Sequence, residues 1–316
     1  MRTGASSDRK NPMISTVDEW QESGLAMRLC EGECFVTRYG DPKGYPVFYL
    51  HGFPGSHREG ALADRSAKTH GVCLYAIDRP GYGESRARPD LTLAGWPAYQ
   101  ERLATALGLV RYGVIALSGG APYAYAGAYA ASTRVAFTLI IGGLPPLLDP
   151  SEQAALPALM RIHGWIQNGC PGLLRAEVRL LARRIRRRPG WLLERVERLV
   201  APIDQATLAE SDVRRTLTAS WVWGMRGAGL GLVDDFKRYL TPWPEGFHMP
   251  LETPLRVIQG DQDRIVPLER VQAFVKKLQG VAVEVYAGDG HFSLPLRRQD
   301  TIWEKVRQLI ETMPNF

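Results

Sequence analysis

Residues 112–131 read YGVIALSGGAPYAYAGAYAA, and the interpretation of this stretch decides the fold. With Ser132 and Thr133 it makes an uncharged span long enough for a membrane helix. Its middle speaks against that, because Ser118-Gly119-Gly120 and Pro122 interrupt it. The segment Val114–Leu117 is a short apolar run of the kind found in buried parallel strands. From Pro122 to about Ala131 the chain is rich in alanine, which suits a closely packed helix. Proline fits the first turn, where its missing N–H has no helical partner anyway. Strand, tight turn at Ser118 and buried helix therefore follow one another.

Working outward, apolar runs and Gly/Pro punctuation give an alternating series. Strands are expected near Leu25–Cys30, Cys34–Tyr39, Pro46–Leu50, Val72–Ile77, Val135–Ile141, Leu255–Gln259 and Val281–Tyr286. Helices are expected near Ala61–Lys68, Leu93–Leu107, Leu268–Leu278 and Arg298–Glu311. The first two strands form a meander, and the rest require helical crossovers. The expected class is α/β, with a mostly parallel central sheet covered by helices on both faces. Between 146 and 250 the strand rhythm stops and the chain reads as helix with Gly/Pro breaks. The core therefore spans 21–145 and 251–316, the helical insertion 146–250, and residues 1–20 read as a flexible tail.

Composition sets bounds. The 316 residues, 45% hydrophobic and 23% charged, match a globular protein of one large domain with an insertion and argue against disordered or collagenous classes. Cys30, Cys34, Cys73 and Cys170 show neither a CxxC pair nor a His/Cys cluster, so no metal site and no disulfide framework is expected. A reducing cytoplasm is the expected compartment, since the N-terminal segment has no apolar core of a secretory signal. The net charge of +6 comes without a nucleic-acid-binding motif. Its densest basic run, Arg183-Arg184-Ile185-Arg186-Arg187-Arg188, reads as one wet face of a helix, with an anion or phospholipid site as the alternative.

The chemistry centres on Ser118. A serine in a strained turn between strand and helix lifts its hydroxyl above the carboxyl end of the sheet, and needs small residues two positions before and after. Ala116 and Gly120 meet that need, although the usual G-x-S-x-G has glycine at both places. A serine hydroxyl needs an adjacent base, itself oriented by a third group. His291, in Gly288-Asp289-Gly290-His291-Phe292 after the last strand, is the candidate base. Asp263 is the candidate orienting acid, with Asp261 in the same loop and Asp149 as alternatives. Backbone N–H groups of Gly119 and of Phe53, in His51-Gly52-Phe53-Pro54-Gly55, are the candidate oxyanion donors. Neither glycine-rich nucleotide motif, G-x-x-x-x-G-K-[ST] or G-x-G-x-x-G after a strand, occurs.

Over about residues 25–145 and 250–312 the sequence resembles the α/β-hydrolase fold family. Its oxyanion loop is matched by His51–Ser56 and its D-x-x-G-x-G-x-S segment by Asp78–Ser85. The elbow and the closing Gly290-His291 complete four motifs in order. The resemblance implies the chain order Ser, Asp, His, favours Asp263 over Asp261, and makes the insertion a helical cap over the active site. Relatives that open epoxides or remove halides use an aspartate nucleophile, whereas this position holds Ser118.

Trp165, Trp191, Trp221, Trp223 and Trp243 fall in the insertion. Aromatic walls are common in ligand pockets, so Trp165, Trp221 and Trp223 are candidate substrate contacts. The expected function is hydrolysis of an ester, thioester or lactone of a small to medium apolar molecule, without metal or organic cofactor. Acyl transfer and cofactor-free lyase or carbon–carbon bond cleavage are the alternatives, with a non-catalytic binding protein behind them. A small molecule is the expected partner, with neither nucleic acid nor a membrane span.

Overall fold

Apolar strand residues alternate between two cores, which makes the central sheet a layer buried on both faces. In the strand Tyr45–Leu50, Phe48 and Leu50 point to one core while Val47 and Tyr49 point to the other. The computed structural model describes residues 24–311 apart from 31–32, 131, 133, 150–151, 153–157, 242 and 244–252. The expected tail over 1–20 lies outside the described residues.

The strands are β1 (Leu25–Leu29), β2 (Cys34–Gly40), β3 (Tyr45–Leu50), β4 (Val72–Ile77), β5 (Tyr112–Leu117), β6 (Val135–Ile141), β7 (Leu255–Gly260) and β8 (Val283–Tyr286). They lie in the order β1-β2-β4-β3-β5-β6-β7-β8. The β1–β2 and β2–β4 pairs are antiparallel and every other pair is parallel. Helices α1 (Asp64–Thr69), α2 (Trp96–Ala106) and α3 (Ala121–Tyr129) cross between the early strands. Between β6 and β7 come α4 (Ala158–Gly169), α5 (Pro171–Arg187), α6 (Trp191–Glu197), α7 (Pro202–Ala209), α8 (Ser211–Gly224) and α9 (Leu230–Leu240). Helices α10 (Leu268–Val275), α11 (Ser293–Arg297) and α12 (Gln299–Glu311) complete the chain.

Helices α2, α3 and α10 pack on one sheet face, α1 and α12 on the other. The expected helix at Ala61–Lys68 is divided into a 3-10 turn over His57–Ala63 followed by the short α1. That turn brings Gly60 against Tyr39 and Ala76, an approach that leaves no room for a side chain.

The helices between β6 and β7 have a core of their own, in which Leu174, Val178, Ala182 and Ile185 of α5 meet Leu232, Val233 and Phe236 of α9. They are tied to the sheet through Asp235 of α9, which is fully buried. Its carboxylate accepts from Arg79 Nη1 at 2.5 Å, from the Tyr82 hydroxyl at 2.8 Å and from Tyr123, and the Tyr239 hydroxyl oxygen lies 2.9 Å away. Arg238 Nη1 adds a longer contact at 3.4 Å. Burial disfavours the charge, but the two guanidinium groups outweigh it and hold the Asp235 pKa below the ordinary value.

Replacing Asp235 by Asn leaves the fully buried Arg79 guanidinium without a carboxylate, and the expected loss of stability is about 3–5 kcal/mol. Urea unfolding of wild type and variant measures it. An unchanged midpoint would show that the pair contributes no more than a surface ion pair.

Candidate active site

The carboxyl ends of the parallel strands bring the candidate residues together. Ser118 directly follows β5 at φ +48°, in the left-handed region that residues other than glycine rarely adopt. The turn is possible because Gly120 has no side chain: a Cβ there would lie 2.4 Å from the Leu50 carbonyl oxygen. Ala116 is fully buried in the sheet core.

His291 follows β8 and Asp263 follows β7. His291 Nε2 lies 3.0 Å from Ser118 Oγ, and His291 Nδ1 lies 2.7 Å from Asp263 Oδ2. Asp263 is fixed in turn, since its Oδ1 accepts the N–H groups of Ile265 and Val266, both at 2.8 Å, and Gln259 Nε2 donates to Oδ2 at 2.9 Å. The two alternative acids are placed elsewhere. Asp261 is exposed and accepts the Gly288 N–H, and Asp149 is exposed.

The histidine loop has a further anchor that no motif announces. Asp204 of α7, fully buried, accepts the backbone N–H groups of His291 at 2.8 Å, Phe292 at 3.0 Å and Ser293 at 2.8 Å, and the Ser293 hydroxyl. Gly290 makes room for it, because a Cβ there would lie 2.4 Å from the carboxylate. Burial pulls the His291 pKa down, but the Asp263 charge and hydrogen bond, with smaller help from Asp204 and Glu59, raise it above the ordinary imidazole value.

The two oxyanion candidates are adjacent. A methyl group added to Gly119 would sit 3.3 Å from the Phe53 nitrogen. The Phe53 N–H has no acceptor among the described residues. The Gly119 N–H lies at the start of a 3-10 turn, where donors have no helical partner. The preceding residue, Gly52, is held on both sides. Its carbonyl accepts from Arg79 Nη2 at 2.9 Å and faces His51 Nδ1 at 2.9 Å, and its N–H donates to Glu59 Oε2 at 3.0 Å. Burial, with the Arg79 charge, lowers the His51 pKa to about 3, so this ring is neutral. Its Nε2 accepts the Arg79 N–H, which leaves the proton on Nδ1 to donate to Gly52.

Glu59 was not singled out by sequence reasoning. Its carboxyl is buried, takes a 3.3 Å bond from Ser220 of α8, and is pushed up to about 7 by burial, against the pull of the Gly52 N–H, Arg79, Ser220 and His291. It lines a cavity of about 930 Å³, open mouth included, that reaches Ser118 and His291. The cavity wall is otherwise largely apolar, with Ile115 and Ile141 from the sheet, Leu217 and Trp221 from α8, and Ile302 and Trp303 from α12.

Of the candidate tryptophans only Trp221 lines this cavity. Trp165 is 77% exposed on α4, and Trp223 points the other way, donating from Nε1 to Asp78 at 3.1 Å and stacking with Arg58 and Arg226. Trp221 and Trp223 are two residues apart on one helix, about 200° around its axis, so they cannot share a wall. Trp191 packs against Arg184 and Arg195, and Trp243 lies in the sheet core. Among the described residues no group of three or more His, Cys, Asp or Glu side chains is placed to hold a metal ion, and no helix is long and apolar enough to cross a membrane.

Comparison with known proteins agrees with this architecture. Residues 47–303 match the model of the alpha/beta hydrolase family, and the chain belongs to that family. A search of curated proteins finds no match. Among solved structures, a thermophilic esterase from Thermogutta terrifontis is similar over 92% of this chain and 98% of its own, at 18% identity and a TM-score of 0.64. A laboratory-evolved variant of potato epoxide hydrolase is similar over 92% and 100% of the two chains, at 14% identity and a TM-score of 0.70. A bromoperoxidase from Bacillus anthracis is similar over 92% and 100%, at 17% identity and a TM-score of 0.66. These likenesses establish the shared fold.

Two outcomes are expected from the charges around His291. Glu59→Gln keeps an acceptor for Gly52 but removes a charge that raises the His291 pKa, so the rising limb of kcat/KM moves to lower pH around neutrality; a limb that stays in place refutes the coupling. If His291 is the base expected from the sequence, Asp204→Ala, which frees the histidine loop, should lower kcat by about 100-fold, the cost of a misplaced reacting group. Steady-state kinetics on a folded variant, verified by circular dichroism, reads that loss.

Proposed function

We propose that the protein is a serine hydrolase that cleaves an ester, thioester or lactone of a small to medium apolar molecule through an acyl-enzyme on Ser118. The observation that supports this most is the unbroken chain of contacts from Ser118 Oγ through the His291 ring to Asp263, at 3.0 and 2.7 Å. In the proposed reaction Ser118 Oγ attacks the carbonyl carbon while His291 Nε2 takes its proton. Asp263 keeps the imidazole oriented and stabilises its cation. The oxyanion is received by the N–H groups of Phe53 and Gly119. Collapse of the tetrahedral intermediate breaks the bond to the leaving group, which takes the proton from His291. Water then gives a proton to His291 and attacks the acyl-enzyme, and collapse of the second tetrahedral intermediate releases the acid while Ser118 Oγ takes that proton back from His291.

The residue type at the elbow favours acyl chemistry over epoxide opening. Attack of a serine on an epoxide leaves an ether that water does not cleave under these conditions, whereas a seryl ester is released by the same base that formed it. The apolar wall around Trp221, Ile302 and Trp303 favours an apolar acyl or alcohol group. On this reading residues 146–250 form the cap, since α8 supplies Leu217 and Trp221 to that wall.

Intact mass spectrometry after exposure to a fluorophosphonate is the test. One adduct is expected on the wild type and none on Ser118→Ala or His291→Ala, and the alanine variants should lose about 10⁴–10⁶-fold in kcat on any ester that is turned over. If neither a fluorophosphonate nor a smaller sulfonyl fluoride labels the folded wild type, the acyl-enzyme reading is wrong.

A further inference from the structure

The outward side of α4 and α5 carries more charge than the fold can use. Residues 158–188 contain eight arginines and one acidic residue, Glu177, and although Arg184, Arg186 and Arg188 meet Trp191, the Arg226 carbonyl and Glu194, others of the eight face outward without such a partner. The apolar stripe of α5, Leu174, Val178, Ala182 and Ile185, is already buried against α9 and its neighbours. On the opposite side Arg179, Arg183 and Arg187, spaced four apart, form one row, and none of them has an ion-pair partner among the described residues. Like charges at that spacing repel and weaken a helix. Folding alone gives no reason for the row.

Apolar side chains stand in the same surface. Leu173 is 57% and Leu180 63% exposed, seven residues apart and so on one side of α5, beside the arginine row. The neighbouring α4 is joined to α5 by the His163–Glu177 contact at 3.1 Å, and exposes Ile162 and Trp165. A protein surface usually separates such groups. Here leucines, an isoleucine and a tryptophan stand beside guanidinium groups, a side chain whose long apolar stem can lie along apolar surface while its head stays at a polar boundary.

We infer that the outer face of α4 and α5 docks on an anionic lipid surface. A bilayer interface offers both things this face presents to: phosphates for arginine at headgroup depth, and the acyl boundary for leucine and tryptophan. Nucleic acid offers the phosphates but no use for exposed Leu173, Leu180 and Trp165. Contact is peripheral, because no described helix is long and apolar enough to span. The docking stands on this surface and not on the acyl-enzyme reading. The two meet in the insertion, whose α8 walls the cavity: docking would bring that wall next to apolar molecules dissolved in the bilayer.

The test is sedimentation of the full chain with vesicles of phosphatidylcholine alone and of phosphatidylcholine mixed with phosphatidylglycerol. Sedimentation with the anionic vesicles only is expected, weakening as salt shortens the Debye length. Replacing Arg179, Arg183 and Arg187 by Gln should reduce partitioning by about fivefold per arginine. Leu173→Ser with Leu180→Ser should weaken it at unchanged charge. Brominated lipid should quench tryptophan fluorescence in the wild type and less in Trp165→Phe, which identifies the inserted face. Circular dichroism confirms that each variant is folded. Equal sedimentation with both vesicle types, or wild-type partitioning of the arginine variant, overturns the proposal. So does arginine-dependent binding of duplex DNA by a protein that ignores anionic vesicles.

Discussion

The buried Asp235–Arg79 pair is the contact on which the arrangement of the site depends. A carboxylate sealed from water is tolerable only where opposite charge and donors surround it, and Asp235 has Arg79, Arg238 and three tyrosine hydroxyls around it. These partners come from different parts of the chain. Arg79 and Tyr82 follow β4, Tyr123 lies on α3, and Arg238 and Tyr239 share α9 with Asp235. Moving α9 away from the sheet would leave the buried Arg79 guanidinium without its carboxylate and take from Asp235 its contacts with Arg79, Tyr82 and Tyr123. The same groups reach the reaction centre, because Arg79 also holds the Gly52 carbonyl and the Tyr239 hydroxyl donates to the Gly119 carbonyl.

The segment between β6 and β7 thus takes part in the elbow, the Phe53 loop and the histidine loop. Tyr239 holds the elbow, Ser220 reaches Glu59 beneath the oxyanion loop and Ser56 beside it, and Asp204 gathers three N–H groups of the histidine loop. Core and insertion are separate in chain order but not in the geometry that places Ser118, His291 and Phe53. Changes in the insertion can therefore act through the position of Ser118, His291 and Phe53 as well as through the shape of the cavity.

How far the sequence could be read follows from whether a feature is local. Ser118, Asp263 and His291 sit just after apolar strand runs, among glycines and turn residues, and the strand order brings such loops together. Strand positions were legible for the same reason: fully buried parallel strands are continuous apolar runs. Asp204, Glu59 and Tyr239 were not legible, because their partners lie 87, 7 and 120 residues away and nothing in their own neighbourhoods marks them. Gly290 carried the one faint signal for Asp204, a missing side chain where a carboxylate must fit. Trp165 and Trp223 were misplaced by composition, which counts aromatic residues in a segment but does not see which side of a helix each occupies. The 200° between positions 221 and 223 would have excluded one of the pair.

The carboxylates around His291 raise a question of sign. In the proposed reaction, proton transfer from Ser118 to His291 would create an imidazolium and, at the substrate, an oxyanion, so the site would have to stabilise a separation of charge at constant total charge. Negative groups near the ring help the first and oppose the second. Asp263 and Asp204 bind the ring Nδ1 and the backbone of its loop, where they favour the imidazolium. Glu59 lies instead on the side of the oxyanion loop, bonded to Gly52, where its charge opposes the negative charge that the proposed donors Phe53 and Gly119 must receive. Two features offset this. Burial pushes the Glu59 pKa up to about 7, so that near neutrality a large share of the molecules carry it uncharged. The Arg79 guanidinium holds the Gly52 carbonyl, and that carbonyl belongs to the same peptide unit as the Phe53 N–H. A cation on the oxygen end of a peptide draws electron density from its nitrogen end, which makes the N–H a stronger donor. The proposed oxyanion donor thus owes its strength to a residue outside the loop that contains it, and the ion pair that fixes the insertion also tunes the chemistry.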